Sequence, residues 1–259
     1  RDRCLLRRTI IRKSKKINMK TSYFNSSLIK PLVIASAQHA AFNDGEIVFD
    51  WTGFEIPRGS AKLLGATIKI RAKGDAGQTV QPAGIDLLFA KGPVPDATPT
   101  SLGTANAEVT NFASTDIVGA MPFSAADAFG IRTLYQSTVS SSELVLEPNG
   151  NSGANVGVDK FYVAGLAAGA LNFTSVLTVN ETGFGAAAQT VITTADLDPR
   201  LNLVTGDVVH AQDDAVLGTI LTVDSATQIT LTAANTAAIA DDDVLYNINP
   251  IEIILHFQK

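Results

Sequence analysis

Three histidines, two acidic runs and a few hydroxyl and glycine clusters are the side chains of this sequence that could do chemistry. His39, His210 and His256 lie far apart, and none stands near a cysteine or a paired carboxylate at metal-ligand spacing. His210 and His256 each fall inside an alternating strand pattern, so a surface or hydrogen-bonded histidine is expected at both. Asp213-Asp214 and Asp241-Asp242-Asp243 supply carboxylate oxygens of the kind that bind calcium. Calcium loops interleave those oxygens with other residues and place a glycine among them, and neither run does. Solvated turns are expected instead.

The serine-rich stretch 137–142 (STVSSS) has no nucleophile-elbow context and no matching histidine. The glycines of 183–185 and 150–153 are not followed by the helix N-terminus that a phosphate loop needs. Asn172-Phe173-Thr174 and Asn180-Glu181-Thr182 match glycosylation sequons and are read as chance matches. Cys4 is the one cysteine, so the rest of the chain has neither a disulfide nor thiol chemistry. The sequence therefore predicts no catalytic residue, no metal site and no cofactor, and enzyme activity is the class it supports least.

The elements around these residues are strands. Alternating or β-branched apolar runs recur with turn signals between them, and helical periodicity is almost absent, which argues for an all-β chain. Strands are predicted at Pro31–Gln38, Ile47–Ile56, Lys62–Ala72, Ile85–Ala90, Asp116–Phe123, Glu143–Glu147 and Phe161–Ala168. In the second, Ile47, Phe49 and Trp51 are expected on one face. The glycine and alanines of the last suggest close approach of another backbone. Ser124–Gly130 is expected to form a single helical turn, and Asn149–Gly157 a flexible loop. Gly92–Leu102 holds three prolines and is expected to be an extended loop.

Later strands are predicted at Val176–Val179, Thr190–Thr194, Val208–Ala211, Val216–Val223 and Gln228–Thr232, and over 244–248. Asp196–Leu203 reads as a turn or one turn of helix. The closing segment alternates Ile251, Ile253, Leu255 and Phe257 on one face after Pro250, and is expected to return to an earlier sheet. The fold class that follows is all-β: an antiparallel, jelly-roll-like β-sandwich with an inserted small SH3-like β-barrel. The sandwich is placed at residues 28–172 plus 250–259, the barrel at 173–249, and a basic disordered arm at 1–27.

Charged residues make up only 17% of the chain, against roughly 25% in an average protein. Residues 1–20 hold nine Lys or Arg against Asp2, a net charge of +8, and the remaining chain carries −13. The acidic body is expected to repel nucleic acid and anionic membranes. No apolar run reaches the roughly 20 residues that span a membrane as a helix. The first methionine is Met19, and residues 1–18 are read as upstream sequence translated in frame; the alternative is an arm for nucleic acid or an acidic partner surface.

Three stretches resemble virion structural proteins of tailed bacteriophages. The first is FDWTGFEIPRGSAKLLGATIKIR (49–71). The second is the barrel block GDVVHAQDDAVLGTILTVDSATQITLT (206–232) with VLYNINPI (244–251). The third is the cysteine-free body rich in Ala, Thr and Asn. The resemblance covers roughly 45–259 and implies a capsid decoration (cement) protein: a homo-oligomer, expected as a trimer, that binds the major capsid protein on the outside of the virion. A tail or fibre subunit of the same particle is one alternative. A carbohydrate-binding sandwich is another, and it would want a row of exposed aromatics where this chain has one Trp and four Tyr.

Overall fold

The computed structural model describes residues 24–258 apart from 73, 76, 78, 79, 82, 95, 96, 113–116, 124, 125, 130, 131, 139–143, 147–157 and 184. The expectations for the arm before residue 24 and for the loop at 149–157 lie outside these residues.

The chain is all-β: an antiparallel sandwich with an inserted barrel. One sheet of the sandwich runs β1 (Phe24–Ile29), β16 (Ile251–Gln258), β3 (Ala61–Ile70), β7 (Arg132–Thr138) and β6 (Ala126–Phe129), with β8 (Leu144–Leu146) also paired to β3. The facing sheet runs β2 (Ile47–Pro57), β9 (Val158–Ala167), β4 (Ile85–Ala90) and β5 (Ile117–Met121). Ile251, Ile253, Leu255 and Phe257 of β16 are all buried between the sheets, as their alternation predicts. Phe54 of β2 stacks on Phe257 across the core at 5.9 Å and on Phe161 of its own sheet at 6.1 Å.

Two register irregularities in β2 correct the expected faces. The pairing with β9 shifts between Ile47 and Phe49 and again between Phe49 and Thr52. A bulge inserts a residue and turns the following side chains over. Phe49 therefore points into the sandwich, while Ile47 and Trp51 join Leu88, Ala90, Tyr162 and Leu102 in a second apolar cluster. Leu102 is fully buried there, so the Pro-rich segment expected as an extended loop delivers its last residue to a core. The small residues of β9 answer to a ring rather than a backbone. A Cβ on Gly165 would lie 2.2 Å from the Phe49 ring.

Three other expectations are corrected. The first strand among the described residues is Phe24–Ile29, so residues 24–27 belong to the sandwich and not to the arm. The expected strand at Pro31–Gln38 ends instead in a 3-10 turn at Ser36–His39. Pro31 carries no N–H for a ladder, so pairing with β16 stops at Ile29. The expected helical turn at 124–130 contains β6, which pairs with β7 from Phe129–Arg132 to Ala126–Tyr135. A hairpin partner overrides a weak local capping preference.

The barrel runs β10 (Thr178–Val179), β11 (Val191–Ala195), β14 (Gln228–Leu231), β13 (Val216–Ser225), β12 (Val208–Ala211) and β15 (Leu245–Asn247). A bridge between Thr178 and Val244 brings its two ends together, so the sheet nearly closes on itself. It encloses its own core, which includes Ile192, Val209, Leu217, Ile220, Ile229 and Leu245. Pro199–Asn202 forms one turn of helix, with Asp198 accepting the Arg200 N–H at 3.0 Å as its cap.

Candidate functional site

The densest polar arrangement lies where the barrel joins the sandwich. Arg71 follows β3, and Asp207 precedes β12. Both are buried, at 3% and 0% exposure, and their side chains pair at 2.7 and 2.9 Å. The same carboxylate accepts the Val204 N–H at 2.9 Å and the Asn247 amide at 3.1 Å, with Lys30 Nζ at 4.0 Å. Arg71 also donates to the Asn202 carbonyl, and its backbone N–H reaches the Pro250 carbonyl at 3.0 Å.

Burial pushes the Asp207 carboxyl above the usual aspartate range, against the pull of Arg71, the Val204 N–H and Lys30. Further contacts tie the two parts together. The Val33 N–H donates to the Ile248 carbonyl, Gln38 donates to the Asn247 carbonyl, and the Ser36 N–H donates to Asp214 Oδ1 at 2.8 Å. These groups bond chiefly to one another across the two parts. The arrangement is a joint.

The histidines divide into three environments. His256 sits exposed on β16 with its Nε2 3.3 Å from the Thr67 hydroxyl. His39 packs against the Tyr246 ring at 5.3 Å. His210 differs from the hydrogen-bonded or surface residue that the sequence predicts. It is buried, and neither ring nitrogen makes a hydrogen bond of ordinary geometry. Burial holds its pKa below the usual histidine value; the charge and the backbone carbonyl of Asp214 offset only part of this. The β12–β13 register slips at this point with Leu217 of β13 as the extra residue, so β12 keeps its alternation and His210 lies on the face opposite Val209, across from Tyr246 of β15.

The acidic runs are turns. Asp214 and Asp242 have φ of 65°, the left-handed conformation that Asp tolerates better than most residues. Asp213 accepts the Ala215 N–H and Asp243 the Ala240 N–H, each bonding its own turn. Among the described residues no three His, Cys, Asp or Glu side chains group as a metal site would need. A cleft of about 420 Å³ is lined by His39, Gln212, Asp213 and Asp243, at the rim of the joint.

Charge is divided between the two parts. Residues 173–249 contain ten acids and a single base, Arg200, a net charge of −9. Most of the body's negative charge thus sits on the barrel. Sequence reasoning recorded the acidity of the body and missed this concentration, which a count by predicted domain would have found. Among the described residues the Trp and Tyr side chains are turned away from solvent. Trp51 is buried and donates its indole N–H to the Thr100 carbonyl at 3.0 Å; Tyr162 and Tyr246 are buried as well. No protein family, no curated protein and no solved structure matches this chain.

Proposed function

We propose that this chain is a non-enzymatic virion structural protein of a tailed bacteriophage, a decoration protein that binds the major capsid protein on the outside of the assembled shell. The observation that carries the reading is the division of charge across a two-part body. A sandwich of low charge supplies broad surface for contact with a protein lattice. The barrel, at −9, is suited to face solvent and is repelled by packaged DNA. The joint built on Arg71 and Asp207 fixes the barrel to the sandwich, so load on one part is carried to the other. The phage-like segments of the sequence agree with this reading. Many copies on one shell make modest single contacts sufficient. The burial of Trp51, Tyr162 and Tyr246 counts against the carbohydrate-binding alternative.

The test is to mix the purified protein with expanded, undecorated capsids and to count bound copies by cryo-microscopy. Stoichiometric density at capsomer junctions is the expected result. Binding confined to the tail or portal vertex would move the protein to the tail, and absence of particle binding would refute the reading.

A further inference from the structure

We infer that the barrel is hinged on the sandwich and that acid opens the hinge: when His210 is protonated, the β12–β13 turn swings away from the strap formed by residues 31–40. The strap runs between β1 and β2 and stays with the sandwich. Val33 and Ala37 are buried in the sandwich core, and Asn106 Nδ2 donates to the Ala37 carbonyl at 2.9 Å. Its bonds to the barrel fall at two ends. One end lies just before Pro250, where the chain returns to the sandwich. There the Val33 N–H bonds the Ile248 carbonyl at 2.9 Å and Gln38 bonds the Asn247 carbonyl at 3.1 Å. The Arg71–Asp207 pair pins the same end, with Asp207 accepting from Asn247. The other end is the turn, where the Ser36 N–H reaches Asp214 Oδ1 at 2.8 Å.

His210 lies between these ends. Val209 before it belongs to the barrel core, so the ring stands on the outer face of the barrel, the face that the strap bonds. The charged and titratable groups about it are Asp214 of the turn, Tyr246 opposite it on β15, and His39 of the strap, which packs on the Tyr246 ring at 5.3 Å. Its partner on β13, Val216, is apolar. A charged ring needs water, and the open arrangement supplies it at small cost. The Ser36–Asp214 bond and the His39–Tyr246 contact are given up, while both apolar cores stay closed. The cleft of about 420 Å³ lined by His39, Gln212, Asp213 and Asp243 already brings water to this end.

The sign follows from the closed state. Burial there lowers the affinity of His210 for a proton, and the charge and carbonyl of Asp214 restore only part of it. The closed joint is therefore fully favoured above the ordinary histidine value and weakens as pH falls through it. For one proton the open population rises by at most about tenfold per pH unit. Burial pushes the Asp214 carboxyl up, but the Ser36 N–H and the charge of His210 pull it down further, to below the usual aspartate range. Asp214 thus stays ionised through this window, and the loss of its bond to Ser36 reports on His210. The inference does not rest on the virion reading.

The test is amide hydrogen exchange by NMR on the full chain between pH 7.5 and 5.0, read as protection factors so that the intrinsic pH dependence of exchange is divided out. Protection of the Ser36 amide is expected to fall by up to about tenfold per pH unit below pH 6.5. It should stay at least about tenfold below that of Ile253 in the middle of the sandwich sheet, and Val33 at the pinned end should remain better protected than Ser36. Low urea should leave Ser36 exchange unchanged, because a small opening exposes little surface. His210→Leu should remove the pH dependence and His39→Gln should keep it. The wild-type profile and His39→Gln decide the matter even if His210→Leu fails to fold. Ser36 protection that ignores pH, that equals the protection of Val33 or Ile253, that keeps its pH dependence in His210→Leu, or that loses it in His39→Gln would each overturn the inference.

Discussion

His210 is a titratable ring whose burial outweighs the charge and carbonyl of Asp214 beside it, and that fixes the sign of its effect on stability. Its folded pKa lies below the ordinary 6.5, while the unfolded chain titrates at that value. As pH falls through 6.5 the unfolded state takes up a proton that the folded state refuses. Stability is therefore lost from about pH 7 downward until the folded pKa is reached, by at most about 1.4 kcal/mol per pH unit for one proton. Melting curves between pH 7.5 and 5.5 should show this loss, and His210→Leu should flatten it. An unchanged slope in the variant would place the response elsewhere. None of this was legible in the sequence. The alternation around His210 locates the strand and sets the ring opposite Val209, but burial of that face depends on distant segments such as the one whose Ser36 N–H bonds Asp214.

Legibility improves at the level of strands, with exceptions that share a cause. Ile85–Ala90 and Val208–Ala211 match the sequence reading residue for residue, because an apolar run between turn residues admits few alternatives. β1 and β7 were missed. Their polar residues (Asn25, Ser26 and Ser27; Arg132, Gln136 and Ser137) hide strands defined by what they pair with. The faces of β2 were misread because its bulges are set by β9. That pairing also makes Gly165 a specific packing position. Gly165→Ala would drive a methyl group into the Phe49 ring and close to Ile85, on the β9 strand that joins β2 to β4. A loss of about 1–3 kcal/mol is expected from overpacking, measured by urea denaturation. Phe49→Leu in the same chain should recover part of it. A neutral Gly165→Ala would show that the two sheets yield more readily than the packing implies.

For the molecule as a whole, the barrel and the sandwich have separate apolar cores joined by a polar seam. Asp207→Asn in the intact chain should be destabilising, and adding Arg71→Met should recover part of the loss. Asp207→Asn alone leaves the buried guanidinium without its carboxylate, at a cost of about 3–5 kcal/mol. Paired melting curves of the two variants decide this, and equal stability would show that the ion pair contributes little to holding the seam. The position of the barrel also bears on the order of events during protein synthesis. β16 sits between β1 and β3, yet it is translated after the whole barrel, some 190 residues later than the β3 segment it joins. On the ribosome the barrel can fold while the sandwich still has a gap in the middle of one sheet. β1 and β3 then wait with unpaired sides, open to any other strand within reach. The nascent chain is most exposed to mispairing and to chaperones during this interval, and its length is set by how fast the barrel is translated.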